Sequence, residues 1–324
     1  MKIEAREEIW PLKNVFRISR GSRTEALVIV ATVSDGQYTG RGEGVPIRRY
    51  NQTSESVLTE IETVKREKNL DRKKLRELLP AGAARNAVDC ALWDLEAKRS
   101  GKRVWELAGI PMVNHVHTAF TVSLDRPEKM AASATAAVKA PILKLKLGGD
   151  DVDLARVEAV RAAAPSARIV IDANESWSPK HFRGVSPMLA KLGVELVEQP
   201  FPAASDEILE TLDHPIPVCA DESCHTAADL PRLKKRYEMI NVKLDKTGGL
   251  TEALRLCEKA RANEFKLLIG CMVGTSLSMA PARILASAAD YVDLDGPLLL
   301  SRDRDHGIRY EQGKVDLPSR ELWG

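Results

Sequence analysis

The stretch Ile142-Leu143-Lys144-Leu145-Lys146-Leu147-Gly148 decides how this chain is read. Along a strand, successive side chains point to opposite faces. Lys144 and Lys146 therefore share one face, and Leu143, Leu145 and Leu147 share the other. In a parallel sheet covered by helices the leucine face packs against a helix. The lysines then point into the opposite space, and two ammoniums buried there need anions. A solvated edge strand with both lysines in water is the simpler reading of this stretch alone. The rest of the chain decides against it, because it supplies anions at regular intervals.

After Pro111, short apolar runs alternate with amphipathic helical stretches. The runs are His115–Val122, Ile142–Leu147, Arg168–Asn174, Val194–Gln199, Ile216–Asp221, Met239–Asp245, Lys266–Met272 and Tyr291–Asp295. Helix candidates between them include Pro127–Val138, Asp151–Ala164, Pro187–Leu192, Ser205–Leu212, Ala227–Arg236, Thr251–Asn263 and Met279–Ala289. The units recur roughly every 25 residues without strong self-similarity, which argues against a solenoid. Strands alternating with helices predict an α/β fold, a (β/α)8-type barrel. A lone doubly wound sheet would not place polar residues so uniformly at strand ends.

Ahead of the barrel, residues 1–50 read as β-rich. Ala26–Val33 is a strand candidate, Asp35-Gly36 a turn, and a further strand runs from about Tyr38 to Glu43. The polar segment Arg20–Glu25 reads as a loop, and its Arg23 as part of a lid that meets an anionic ligand. Residues 53–110 read as helical. Thr53 or Ser54 caps the first helix, and Ala83–Arg99 carries Ala84, Ala87, Val88, Ala91, Leu92 and Leu95 at helical spacing. Asn86, Asp89 and Asp94 on that helix read as structural. The division expected is an α+β capping domain over 1–112, the barrel over 113–300, and a tail over 301–324 that returns to the capping domain.

The chain has 324 residues and a formal net charge of +2. That balance points away from nucleic acid and membrane surfaces. No apolar run is long enough to span a bilayer, and Met1–Glu8 lacks a signal-peptide core, so a cytoplasmic protein is expected. A homo-oligomer is allowed and nothing specifies it. The cysteines Cys90, Cys219, Cys224, Cys257 and Cys271 are odd in number and read as reduced thiols. Without a Cys-x-x-Cys or His-Glu-x-x-His motif, zinc is not expected. No phosphate-cradling glycine loop appears.

In such barrels the chemistry sits at the C-terminal strand ends. Three consecutive strands each deliver one carboxylate there: Asp172, Glu198 and Asp221. Converging carboxylates repel unless a cation sits among them. Oxygen-only ligands favour a hard ion, and Mg²⁺ leaves positions open for substrate. The neighbouring strands supply Lys146 and Lys243 on opposite sides of the mouth. Ammonium neighbours and a divalent cation lower a lysine's pKa, which suits a base. Parity along the sixth strand points Asn241, Lys243 and Asp245 inward, while Lys246 begins the turn and reads as serving the loop. A base on each side of a metal-bound carboxylate suggests a 1,1-proton transfer that yields the epimer.

At these residues the chain resembles the enolase superfamily, in its muconate lactonising subgroup with the Lys-x-Lys motif. The resemblance spans nearly the whole chain. Within the subgroup it is most similar to the L-Ala-D/L-Glu dipeptide epimerases of murein-peptide recycling. The specific marker is Asp293-Leu294-Asp295 at the eighth strand, which by resemblance binds the dipeptide's α-ammonium. The resemblance implies Lys146 and Lys243 as the two bases and Asp172, Glu198 and Asp221 as ligands of one Mg²⁺. It implies Thr121, Lys144 and Cys271 as substrate-lining, and Arg23 as the partner of the substrate's side-chain carboxylate. Gly274 stands where many relatives carry Glu, so loop shape there departs from the pattern.

An o-succinylbenzoate synthase or a cycloisomerase would use the same lysines and metal, but has no ammonium for Asp293 and Asp295 to hold. A sugar-acid dehydratase would need a histidine at a strand end, and His117 reads as core. A barrel that binds a ligand without turning it over is the alternative from another class.

Overall fold

The computed structural model describes residues 1–67 and 69–324. Strands β1 (Lys2–Ile18), β2 (Gly21–Ser34) and β3 (Thr39–Gly44) form an antiparallel sheet in that order. The turn into β3 is made by Asp35, whose Oδ1 accepts from the amides of Gln37 and Tyr38 at 3.0 and 2.8 Å. The segment expected as a polar loop, Arg20–Glu25, is mostly strand. Gly21 takes φ +146, so the hairpin closes within two residues and the strands zip to the tip. Arg23 thus sits on β2, opposite Phe16 of β1.

Helices α1 (Ser54–Val64), α2 (Arg72–Leu78), α3 (Ala83–Ser100) and α4 (Val104–Ala108) follow. Thr53 caps α1 by accepting from the Ser56 amide. Alternate residues of β3 are Gly40, Gly42 and Gly44, and α3 presents Ala91, Ala87 and Ala83 to them. A methyl at Gly42 would lie 2.2 Å from the Ala87 carbonyl oxygen, so the helix backbone rests directly on the strand. The opposite face of β3 carries Glu43, whose carboxylate accepts from Thr275 and Arg304. One strand therefore joins the capping helices to a loop of the barrel.

The barrel has eight parallel strands in chain order: β5 (Ala119–Val122), β6 (Ile142–Lys146), β7 (Arg168–Asp172), β8 (Val194–Glu198), β9 (Val218–Ala220), β10 (Met239–Val242), β11 (Lys266–Gly270) and β12 (Tyr291–Asp293). Leu143, Leu145 and Leu147 face outward into the main core, as the alternation predicts. Inside, Ala119, Ile142, Val170, Leu196, Cys219, Met239 and Leu268 fill the N-terminal end with apolar side chains. No strand ladder joins β12 to β5 among the described residues. Side chains close that seam: Leu294 N donates to Thr118 Oγ1 at 2.8 Å, and Thr121 N to Asp295 Oδ2 at 2.6 Å.

Several expected elements differ. The run His115–Val122 breaks at Thr118, which turns its amide to the Gly313 carbonyl. Its first part, β4 (His115–His117), pairs instead with β14 (Lys314–Asp316), itself paired with β13 (Tyr310–Glu311). His117 is therefore exposed on a small sheet, not core. The helix expected over Pro187–Leu192 begins earlier, at a Ser178 cap, and spans Pro179–Lys191. Ser205–Leu212 forms a 3-10 helix over Asp206–Thr211. Ala227–Arg236 yields one helical turn, Leu230–Leu233. There Asp229 Oδ2 ties back the amides of His225 and Thr226, holding the approach in a turn.

The chain's end docks on α3: Trp323 Nε1 donates to the Cys90 carbonyl at 3.1 Å, and Gly324 N to Asp94 Oδ1 at 2.7 Å. Asp94 is structural, as are Asn86, bonded to Asp245, and Asp89, bonded to Thr251. Among the described residues no helix is long and apolar enough to cross a membrane.

The glycine–alanine seam yields a stability prediction. Gly42→Val forces α3 off β3, and overpacking of this kind costs about 1–3 kcal/mol or more. Thermal unfolding of the variant should show a midpoint several degrees below wild type. An unchanged midpoint would mean the seam does not hold the two elements together.

Candidate active site

Register places the charged side chains. Lys146 pairs with Asp172 across β6 and β7, and Asp172 with Glu198 across β7 and β8. Paired residues of a parallel sheet share a face, so all three point inward at one level. Asp221, two residues past Cys219, joins them just beyond β9. One carboxylate oxygen from each of Asp172, Glu198 and Asp221 lies within 4.8 Å of the other two, and all three residues are buried.

Lysines interleave with these acids. Lys146 Nζ donates to Asp172 Oδ2 at 2.5 Å, and Lys243 Nζ to Asp221 Oδ2 at 2.7 Å. Lys144, deeper in the barrel, lies 2.7 Å from Glu198 Oε2, 2.7 Å from Asp293 Oδ2 and 3.4 Å from Asp172 Oδ2. It is thus the ion-pair hub of the site. Burial alone would raise the Asp172 carboxyl, but Lys146 and Lys144 outweigh it and hold the pKa low. Burial of Asp221 is likewise outweighed by Lys243 and Lys246. Glu198 goes the other way, pushed up by burial and by Asp172 beside it. Three oxygen donors, one of them short of compensating charge, fit a hard divalent cation such as Mg²⁺.

Burial would lower the pKa of Lys243, yet the Asp221 and Glu198 carboxylates beside it prevail and raise it above the ordinary lysine value. Two positions differ from the parity reading. β10 ends at Val242, and a short helix (Leu244–Thr247) begins just after Lys243, so alternation fails beyond that residue. Asp245 turns away to the capping domain, accepting from the Val45 amide and Asn86 Nδ2, both at 2.8 Å. Lys246 is not a loop residue: it is buried, 2.7 Å from Asp221 Oδ1, and donates to the carbonyls of Asp221 and Asn241.

Above the triad is a small, partly open cavity. Lys144, Lys146 and Lys243 line it with Thr121, Cys271, Asp293 and Asp295. Asp293 spends Oδ2 on Lys144 and leaves Oδ1 buried without a hydrogen-bond partner. Burial and Asp293 push the Asp295 carboxyl upward. Both features suit an incoming cation. Phe16, Val273 and Leu299 also line the cavity and were not anticipated. Arg23 does not line the cavity: it is exposed on the hairpin, its guanidinium 5.2 Å from the ring centre of Phe16, which does. A methyl at Gly274 would lie 2.8 Å from both Glu43 Oε1 and Ser278 Oγ, so a side chain there would have to displace one or both. A larger groove near Phe182 and His214 lies at the opposite end of the barrel, beside the residues that lead into β9.

Supporting residues also went unread in the sequence. Gln199, at φ +35, accepts from the amides of Asp221 and Ser223 at 2.8 and 3.2 Å and fixes the turn that aims Asp221. Asn241 Nδ2 donates to Glu198 Oε1 at 2.8 Å. Arg20 bridges Glu175 and Glu222 at 3.1 and 2.6 Å, tying the hairpin tip to the loops after β7 and β9. For Gln199 the only hint was its adjacency to Glu198, whereas parity along the sixth strand already points Asn241 inward.

The triad predicts a ligand-dependent stability. Mg²⁺ at a hundredfold excess over its dissociation constant adds about 2.7 kcal/mol to the folded state. Calorimetric melting should show that gain in wild type, and Asp221→Asn should lose most of it.

Comparison with known proteins places this geometry. Residues 1–109 match the mandelate racemase / muconate lactonizing enzyme N-terminal domain, and residues 129–321 match the enolase C-terminal domain-like family. The L-Ala-D/L-Glu epimerase of Escherichia coli (strain K12) is 46% identical over 315 residues, 96% of this chain and 98% of that protein. An N-acetyl-D-glutamate racemase of a Pseudoalteromonas species is 44% identical over 301 residues, 92% of this chain and 95% of that one. Among solved structures, an enolase family member from Agrobacterium tumefaciens with homology to dipeptide epimerases, bound to sodium and L-Ala-L-Glu, superposes with TM-score 0.97 at 48% identity, covering 99% of each chain. A dipeptide epimerase from Enterococcus faecalis V583 complexed with Mg and L-Leu-L-Tyr gives TM-score 0.92 at 29% identity, over 98% of this chain and 97% of that one. Both halves match across nearly the whole length, and the chain belongs to the mandelate racemase / muconate lactonizing enzyme family of enolase-like proteins.

Proposed function

We propose that this protein is a Mg²⁺-dependent dipeptide epimerase that interconverts L-Ala-D-Glu and L-Ala-L-Glu. The observation that carries the reading is a pair of buried lysines on strands β6 and β10, bordering one cavity above a carboxylate triad, with an acidic pair alongside. β6 and β10 are separated by three strands of an eight-stranded barrel, so their side chains approach the cavity from opposite sides.

In this reading Asp293 and Asp295 hold the dipeptide's α-ammonium, Asp293 through its unpartnered Oδ1. Thr121 and Cys271 border the peptide, and Arg23 reaches the γ-carboxylate from the hairpin tip. Lys144 stays charged and orders the carboxylates. Mg²⁺ held by Asp172, Glu198 and Asp221 would supply positive charge to the substrate carboxylate as the α-proton leaves, and would loosen the acids' grip on the lysine protons. Lys146 or Lys243, as the neutral amine, takes the α-proton from one face. The other, as ammonium, gives a proton to the opposite face, and the configuration inverts.

We place this activity in the cytoplasm, in the recycling of murein-derived dipeptides, and allow a homo-oligomer. The five cysteines stand as free thiols, which suits a reducing compartment.

Two experiments test the reading. In heavy water, wild type should place deuterium at the glutamyl α-carbon of both diastereomers. Lys146→Ala and Lys243→Ala should each abolish epimerisation, with α-exchange surviving for at most one diastereomer, opposite in the two variants. If Lys146→Ala exchanged L-Ala-L-Glu and L-Ala-D-Glu as fast as wild type, two-base transfer would be wrong. The ammonium site is tested separately. Capping the substrate amine as its N-acetyl derivative should lower kcat/KM about 100-fold or more, the scale of losing one partner of a buried charge pair. An equal rate would remove the ammonium role of Asp293 and Asp295.

A further inference from the structure

Strand β1 is an edge strand: it pairs with β2 on one side, and among the described residues only an isolated bridge between Leu12 and Leu300 meets its other side. The direction of its free backbone groups can be fixed. Ser301 N donates to the Pro11 carbonyl at 2.8 Å from the side away from β2. The β1–β2 register runs unbroken from Lys2 to Pro11, so Ile3, Ala5, Glu7 and Ile9 also direct their N–H and C=O groups outward. An open edge with such groups is a template for another strand.

Charges usually guard such edges by keeping copies apart. Here the signs alternate. Lys2, Glu4, Arg6 and Glu8 share one face; within the strand Lys2 pairs with Glu4 and Arg6 with Glu8, the first three side chains 75%, 62% and 61% exposed and Glu8, which Arg304 also holds, 18%. A second copy related by a two-fold axis at Ala5 would set Lys2 against Glu8 and Glu4 against Arg6, each pair formed twice. The same register sets Met1 against Ile9, two of the exposed large apolar side chains of the chain. It also brings Ala5 opposite Ala5, where outward N–H and C=O groups exchange hydrogen bonds. Shifting the axis by one residue either way puts Glu4 against Glu4 or Arg6 against Arg6. One register alone satisfies the charges and the apolar pair.

We propose that β1 pairs antiparallel with β1 of a second copy of this chain, centred on Ala5, so that two capping sheets become one six-stranded sheet. The partner is chosen by self-complementary charge on an unpaired edge. This surface lies at the far end of β1 from the Phe16 tip, and its assignment stands whether or not the epimerase reading does.

Sedimentation velocity on the full chain tests it. Wild type should be a dimer at micromolar concentration. Arg6→Glu should raise the dimer dissociation constant about 10-fold or more, since one substitution acts twice across a two-fold. The swap Glu4→Arg with Arg6→Glu should restore wild-type association. Ala5→Pro removes an outward N–H that β2 does not use, so it should give a folded monomer with an unshifted melting midpoint. A monomeric wild type would overturn the proposal. So would a dimer that survives both Arg6→Glu and Ala5→Pro, or a charge swap that fails to restore one.

Discussion

Mutual compensation of buried ions at the mouth of the barrel is the constraint on which this structure depends. Asp172, Glu198, Asp221, Asp293 and Asp295 are buried with Lys144, Lys146, Lys243 and Lys246, five carboxylates against four ammoniums. Removing one member of such a set leaves a charge without its partner, at a cost of about 3–5 kcal/mol. The surplus negative charge is visible in the upward-shifted carboxyls of Glu198 and Asp295. At both a cation would be welcome, one at the triad and one at the acidic pair; buried Glu222, pushed up beside Asp221, already has Arg20. The protein thus carries its ligands' complement as an electrostatic deficit held in place by the barrel.

That deficit was legible in the sequence because a strand imposes strict parity. Lys144 and Lys146 with leucines between them read directly as an inward charged face, and the carboxylates recur at matching strand ends. The same rule failed at Asp245 and Lys246, two residues after it had succeeded at Lys243. The reason is local: Leu244 opens a helical turn, and a helix does not alternate. Lys246 consequently swings back under Asp221. Thr118 defeated the pattern in a similar way, since its hydroxyl and amide serve two different sheets and split one apolar run into two strands. The helices expected near Ser205 and Ala227 are present but shorter, one a 3-10 helix and the other a single turn, because tertiary bonds rather than periodicity set their length.

The capping contacts were the least readable part. Arg20 reaches Asn174 and Glu175, 154 and 155 residues away, and Glu222, 202 residues away. Arg49 adds a second pair to Glu175 at 2.9 Å. Asn174 and Glu175 both take positive φ, 45 and 66 degrees, a costly pair for residues other than glycine. The turn they make aims Glu175 at both arginines. No local signal announces such an arrangement, because each charge in isolation looks like a solvated loop residue.

A division of labour follows from where the two kinds of contact sit. The charged groups of the barrel mouth are held by one another at the strand ends, Lys146 by Asp172, Lys243 by Asp221, and Lys144 by Glu198 and Asp293. In the proposed reaction these groups address only what all dipeptides share: the carboxylate, the α-carbon and the ammonium. The second residue's side chain is left to the rim, and there the chain offers Phe16, Arg23, Val273 and Leu299, none of them a metal ligand or a base. Phe16 and Arg23 face each other across a hairpin whose tip is held by Arg20 to two barrel loops. Selectivity can therefore change by substitution on the hairpin with the charge network intact. Rewriting the network itself would strand a buried ion, so chemistry is the conserved function of the barrel's geometry and recognition the adjustable function of its cap.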